Sequence, residues 1–260
     1  MTVSIIVPTY NERENITILV DRIHRTLSEK SIDYEIIVVD DNSPDGTAEE
    51  ARRLAEKYNI KVLVREKRLG LTSAVYEGFK HASGDSIIVM DADLQHPPEI
   101  IPSLVYALRK CDIVIASRHV KGGGEIGFPL HRKIVSRGAI LLARLLVPNA
   151  RRVKDPVSGF FGIKRDLALS LEPIEPEGYK VLVEILAQAP RTTRICEVPY
   201  VFEARKKGVS KLGKKQIFAY LKLLWKTNRR FISLVLPLIS IGLILLLLLL
   251  LRNYIVFSSL

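Results

Sequence analysis

The residues best suited to chemistry stand together at positions 89–95, Val-Met-Asp-Ala-Asp-Leu-Gln. An apolar run, Ile87 to Met90, leads straight into Asp91 and Asp93, with Gln95 two positions on and Pro97-Pro98 beyond. The ordinary reading is a turn, because Asp favours strand ends and the proline pair blocks continuation of strand or helix. The chemical reading is a cation pocket. Alternate residues of an extended segment point the same way, so two carboxylates and an amide carbonyl would converge. An all-oxygen set of this kind suits Mg²⁺ or Mn²⁺, completed by water and phosphate oxygens, rather than Zn²⁺. A lone Asp-X-Asp is weak evidence, and its surroundings decide.

Those surroundings alternate regularly. Strands are expected at 3–8, 34–41, 61–66, 85–93 and 112–118, separated by helices over 14–29, 46–58, 71–82 and 97–110. In the first helix Ile16, Leu19, Ile23 and Leu27 share one face. Nearly continuous apolar strands alternating with helices predict an α/β fold with a mainly parallel sheet sandwiched by helices. Ligands of such sheets sit at the carboxyl ends of the strands. The segments 8–14, 40–47, 91–95 and 117–123 at those ends are all polar, and three carry acids. The three-glycine dinucleotide fingerprint and the Walker lysine loop are both missing, which argues against an NAD enzyme or a phosphate-loop NTPase.

Charge divides the chain. Residues 1–117 hold 14 Lys/Arg against 19 Asp/Glu, whereas 118–230 hold 24 against 9. A basic second half implies an anionic partner. Residues 231–251 are apolar without one charge, enough at 1.5 Å per residue to span a hydrocarbon core of about 30 Å. Because the basic tract runs directly into this span, membrane lipids are expected as the partner and nucleic acid is not. Lys222, Lys226, Arg229 and Arg230 precede the span and only Arg252 follows it, so a single-pass protein with its catalytic part on the cytoplasmic side is expected. The first strand is expected to begin almost at Met1, so a cleaved leader is not expected. Cys111 and Cys196 show no metal spacing and are expected as ordinary buried thiols of a reduced compartment. Segments 133–147 and 216–226 carry apolar residues at helical spacing among lysines and arginines, as interfacial amphipathic helices do.

Four motifs, Pro-Thr-Tyr-Asn-Glu-Arg-Glu from residue 8, Val-Val-Asp-Asp-Asn-Ser-Pro-Asp-Gly-Thr from 38, Met-Asp-Ala-Asp-Leu-Gln-His-Pro-Pro-Glu from 90 and Asp-Pro-Val-Ser-Gly-Phe-Phe from 155, stand in one order. Together they resemble the inverting family 2 glycosyltransferases of the GT-A fold, in the branch that loads sugars onto polyprenyl phosphates. The resemblance runs from about residue 2 to 215. It implies that Pro8, Tyr10, Glu12, Asp41 and the backbone at Val39 lie beside the nucleotide. Asp91 and Ala92 would face the ribose and sugar, with Asp91, Asp93 and Gln95 holding the metal. Arg118, Arg132, Arg205, Lys207, Ser210 and Lys211 would surround the donor diphosphate and the acceptor phosphate, where arginine suits bidentate contacts. Asp155 would serve as a base or an orienting group.

The implied division is a catalytic domain over 1–212, a basic juxtamembrane helix over 213–230, a span over 231–251 and a tail over 252–260. The implied reaction moves mannose from GDP-mannose to dolichyl or another polyprenyl phosphate. A glucosyltransferase using UDP-glucose shares all these features. A membrane-tethered nucleotide-sugar binder without turnover is a further alternative, against which the intact Asp91, Asp93, Gln95, Arg205 and Lys211 weigh.

Overall fold

The computed structural model describes residues 2–127, 129–203 and 216–228. Its strands are β1 (Val3–Thr9), β2 (Tyr34–Asp40), β3 (Ile60–Val64), β4 (Ser86–Val89), β5 (Ile113–Ser117), β6 (Gly124–Ile126), β7 (Phe161–Lys164), β8 (Ile195–Pro199) and β9 (Val201–Glu203). Seven of them form one sheet in the order β3-β2-β1-β4-β7-β5-β8, while β6 and β9 pair separately. The sheet is mainly parallel, as expected, with β7 alone running antiparallel between β4 and β5. Strand order reverses between β1 and β4, and a crevice opens at such a switch point.

Alternation along the strands explains the two covered faces. Val3, Ile5, Val7, Ile36, Val38 and Ile88 point to one face. There they meet α1 (Arg13–Ser28), α2 (Thr47–Ala55) and α4 (Ile101–Leu108). Ile16, Leu19, Ile23 and Leu27 of α1 are fully buried there, as their spacing predicts. Ile6, Ile37, Val39, Ile87, Val89 and Phe161 point to the opposite face. They pack on α3 (Leu71–His81), α6 (Arg165–Leu169) and α7 (Val181–Gln188).

The two expected amphipathic helices are present. α5 spans Leu130–Leu146, and residues 216–228 form a further helix, α8. α5 leaves Leu130, Ile134, Val135, Leu141, Leu142 and Leu145 exposed. α8 has two apolar sides. Tyr220, Leu223 and Leu224 are buried in the core, while Ile217, Phe218, Leu221 and Trp225 are exposed. The Tyr220 hydroxyl donates to the Ala139 carbonyl at 2.7 Å, and Lys222 and Lys226 close on buried Glu175 at 2.9 and 2.8 Å. Burial opposes ionisation of Glu175, but the two ammonium groups hold its pKa below the usual value. Among the described residues no helix is long and apolar enough to cross a membrane, and the expected span at 231–251 lies outside them.

Two expectations are corrected. Strand β4 stops at Val89 instead of reaching Asp93. Its last register pair with β1 is Ile6↔Val89, and the chain then turns with Leu94 at a left-handed φ of 64°. Cys111 and Cys196 are joined in a disulfide rather than standing as separate reduced thiols. Parallel pairing of β5 with β8, Val114 opposite Cys196, brings their Cα atoms to 6.1 Å.

Helix α3 lies close enough to β1 that Gly78 has no room for a side chain: a Cβ there would meet Ile6 Cγ2 at 2.6 Å. Alanine in a helix interior gains about 0.5–1 kcal/mol over glycine, whereas overpacking a core costs about 1–3 kcal/mol. Overpacking wins, because Ile6 is fully buried and stiff at χ1. Gly78→Ala should therefore lower the melting temperature by a few degrees; an unchanged or higher value would show that α3 shifts freely on β1.

Candidate functional site

The ends of β1 and β2 are tied together by a buried carboxylate. Asp40 accepts from Thr9 Oγ1 at 2.8 Å, Ser43 Oγ at 2.6 Å and Ser43 N at 2.8 Å. Asp41, next in sequence, faces the other way. Arg65 Nε donates to its Oδ1 at 2.5 Å and Gly70 N to its Oδ2 at 3.3 Å. The same guanidinium donates to Ser73 Oγ and the Gly70 carbonyl. Asp41 is thus held in place at the rim by a residue that sequence reasoning missed. Pro8 lies in β1 past the last pair with β4, and Val39 is fully buried with only its backbone along the strand. The Tyr10 ring carries the Arg68 guanidinium at 4.3 Å, and Glu12 accepts from Asn15 at 2.7 Å.

Residues 91–96 form a tight turn beside this rim. Gln95 N donates to Asp93 Oδ1 at 3.1 Å, and Asp91 N donates to His96 Nδ1 at 3.0 Å. Ala92 is buried beneath the turn, whereas the Asp91 side chain is 40% exposed. Gly159 leaves space above it: a Cβ there would lie 3.4 Å from Asp91 Oδ2. Among the described residues no group of three or more His, Cys, Asp or Glu side chains is placed to hold a metal. Asp91, Asp93 and Gln95 instead bring two carboxylates and an amide carbonyl to one short turn, with Gly159 beside Asp91. That fits a hard cation which keeps waters and takes further oxygens from phosphate.

Opposite the turn, Arg118 follows β5 and grips Asp155 through Nε at 2.7 Å and Nη2 at 2.8 Å. Burial works against charge on Asp155, yet the guanidinium hydrogen bonds and charge keep its pKa below the usual range. Asp155 is completely buried. Its carboxylate is therefore enclosed and engaged rather than open to solvent. Arg118 also meets Glu125 of β6 at 3.2 Å and lies over the Phe202 ring at 5.5 Å. A cavity of about 150 Å³ opens beside it, lined by His119, Glu125, Lys133, Ser136 and Arg137. Arg132 sits on the first turn of α5 and is not among the lining residues. A broader groove continues along α5 past Arg137, Ile140, Leu141, Arg144 and Leu145.

Lys180, just before α7, completes the cluster. Its Nζ donates to the Val157 carbonyl at 3.2 Å. Burial first, and then the Arg118 charge, lower its pKa to about 8, against the pull of Asp155 and Asp91. Nothing around Lys180 in sequence marks it, because a lysine between a loop and a helix has no periodic or motif signature. Arg205, Lys207, Ser210 and Lys211 lie outside the described residues.

A dolichol-phosphate mannosyltransferase of Pyrococcus furiosus is 49% identical over 227 residues, covering 87% of this chain and 63% of that protein. The chain spans less than two thirds of that relative's length. A dolichol-phosphate mannosyltransferase of Saccharomyces cerevisiae is 40% identical, covering 84% of each. Among solved structures, glucosyl-3-phosphoglycerate synthase of Mycobacterium tuberculosis, crystallised with Mn²⁺, UDP and phosphoglyceric acid, superposes with a TM-score of 0.67 at 24% identity, over 88% of this chain and 78% of that one. That likeness gives the fold, a GT-A type α/β sandwich. Residues 4–170, from β1 through the end of α6, match the family described as Glycosyl transferase family 2, and this chain belongs to it.

Proposed function

We propose that this chain transfers mannose with inversion from GDP-mannose to dolichyl or another polyprenyl phosphate, at the cytoplasmic face of a membrane. The observation carrying this reading is the meeting, at one end of the sheet, of an oxygen-donor turn, a cationic cluster and an exposed apolar helix. The relatives' names agree with it. The proposed organisation keeps a catalytic domain over 1–212, a juxtamembrane helix over 213–230 and a span over 231–251.

In this reading the nucleotide lies across the rim formed by Pro8, Tyr10, Glu12, Val39 and Asp41, with Arg65 aiming the Asp41 carboxylate at the base. Asp91, Asp93 and Gln95 would hold Mg²⁺ or Mn²⁺, which when bound neutralises charge gathering on the departing diphosphate. Lys180 adds positive charge on the same side, and Arg205 and Lys211, outside the described residues, are proposed as further phosphate contacts. The acceptor phosphate enters the cavity beside Arg118, near Lys133, Ser136 and Arg137. Its oxygen attacks the anomeric carbon from the face opposite the diphosphate, and the sugar–oxygen bond breaks with its electron pair leaving on the diphosphate. A phosphate monoester, with a second pKa of about 6, is largely dianionic at neutral pH and needs no base. That fits an Asp155 fully engaged by Arg118. The lipid tail reaches the cavity along the groove of α5, whose exposed leucines, with those of α8, would lie in the bilayer interface.

Two measurements test the chemistry. Asp93→Ala should cut transfer by about a hundredfold or more, the scale of losing one preorganised electrostatic contact, while the fold survives because the residue is half-buried on a turn outside the hydrophobic core. Purified full-length chain should be assayed with a panel of labelled nucleotide sugars and polyprenyl phosphate. Near-normal turnover of the variant, or wild-type activity in excess EDTA, would refute the metal role, and preference for UDP-glucose would reassign the donor. Lys180→Met should weaken nucleotide-sugar binding by about ten- to a hundredfold, the scale of a charge-assisted phosphate contact. Because the free amine titrates at about 8 and only its protonated form attracts the diphosphate, wild-type affinity should fall as pH rises above that value. The variant should lose this dependence; a pH profile shared by both proteins would remove Lys180 from the donor site.

A further inference from the structure

We propose that His96 is the positioning residue for the cation-holding turn: its neutral ring, protonated on Nε2, fixes the Asp91 backbone through Nδ1. This rests on the metal reading above and goes beyond it by naming what gives the turn its shape. The hydrogen bond sets the tautomer. A backbone N–H can only donate, so Nδ1 of His96, 3.0 Å from Asp91 N, must accept, and the ring proton belongs on Nε2.

The ring is held on several sides. It is 2% exposed and stacks on Phe160 at 5.1 Å and 22°. The Tyr200 and Phe202 rings approach at 6.1 and 5.7 Å. Gly159 leaves the room the ring occupies, since a Cβ there would stand 3.3 Å from His96 Cε1 and 3.4 Å from Asp91 Oδ2. Where β4 has ended, the Asp91 N–H loses its ladder partner, and a buried amide without one costs about 1–3 kcal/mol. His96 supplies that partner five residues later. With Leu94 in the left-handed region and Gln95 N on Asp93 Oδ1, the turn has both ends fastened. Outer groups that orient metal ligands are worth about 10–100-fold in metal affinity.

The two properties of the ring are separable. Phenylalanine keeps the stacking and loses the acceptor, whereas asparagine keeps an acceptor at the place of Nδ1 and loses the ring. The full-length chain in detergent, as wild type, His96→Phe and His96→Asn, should be titrated with Mn²⁺ alone, with free Mn²⁺ followed by electron paramagnetic resonance and melting temperatures taken in EDTA. His96→Phe should bind Mn²⁺ about tenfold more weakly, and His96→Asn within about threefold of wild type. Unchanged affinity in the Phe variant, or an equal loss in both, overturns the proposal and leaves His96 a packing residue. If the Phe variant does not fold, His96→Asn decides alone, a tenfold loss there being the overturning result. Wild type that binds no Mn²⁺ removes the metal reading and this proposal together; wild type that binds, with a Phe variant equal to it, removes this proposal only.

Discussion

A carboxylate and a guanidinium taken out of water together organise one side of this site. Each ion alone would be costly to bury, and each is tolerated because the other is present in fork geometry. The Asp155–Arg118 pair joins the end of β5 to the 155–160 segment, which Ser158 also fastens by donating to the Ala116 carbonyl. Glu197 of β8 receives the Lys154 and Asp155 amides, so the neighbouring strand is drawn into the same arrangement. Arg118 then reaches Glu125 of β6 and the Phe202 ring of β9. Burial, and then the Arg118 charge, lower the Lys180 pKa, and the same guanidinium keeps the Asp155 pKa low against burial. Removing either partner would leave an uncompensated buried charge, so this pair is a structural condition for the cluster and not a pair of exchangeable contacts.

Much of the fold was legible because burial on two faces leaves long apolar strands, and because α1 repeats its apolar residues at helical spacing. The five expected strands and the helices between them are present within a few residues. β7 and β8 were not anticipated as strands. β7 is four residues long and antiparallel, and its Phe161 was read only as part of a motif. The carboxylates at 91 and 93 stood out by type and spacing, but the extended strand expected to carry them ends at Val89. Both lie on a turn fastened by His96 and Asp93, not along an extended strand.

What escaped the sequence shares one property. Arg65, Lys180 and Asp40 act through partners far along the chain or across the sheet, and local spacing carries no trace of such pairings. The disulfide is similar: residues 85 apart are brought together by the register of β5 and β8. Asp155 stood out within its motif, but neither its burial nor its guanidinium partner could be read from local sequence.

Helix α8 adds a mechanical consequence. An amphipathic helix on a flexible tether can roll until its apolar stripe finds its own depth in an interface. This one cannot roll, because Tyr220, Leu223 and Leu224 are committed to the core and Glu175 grips two of its lysines. Ile217, Phe218, Leu221 and Trp225 are therefore presented at a set rotational phase. Any interface that takes up those four side chains also takes up the tilt of the sheet behind them, so the heading of the crevice is inherited from the phase of a single helix.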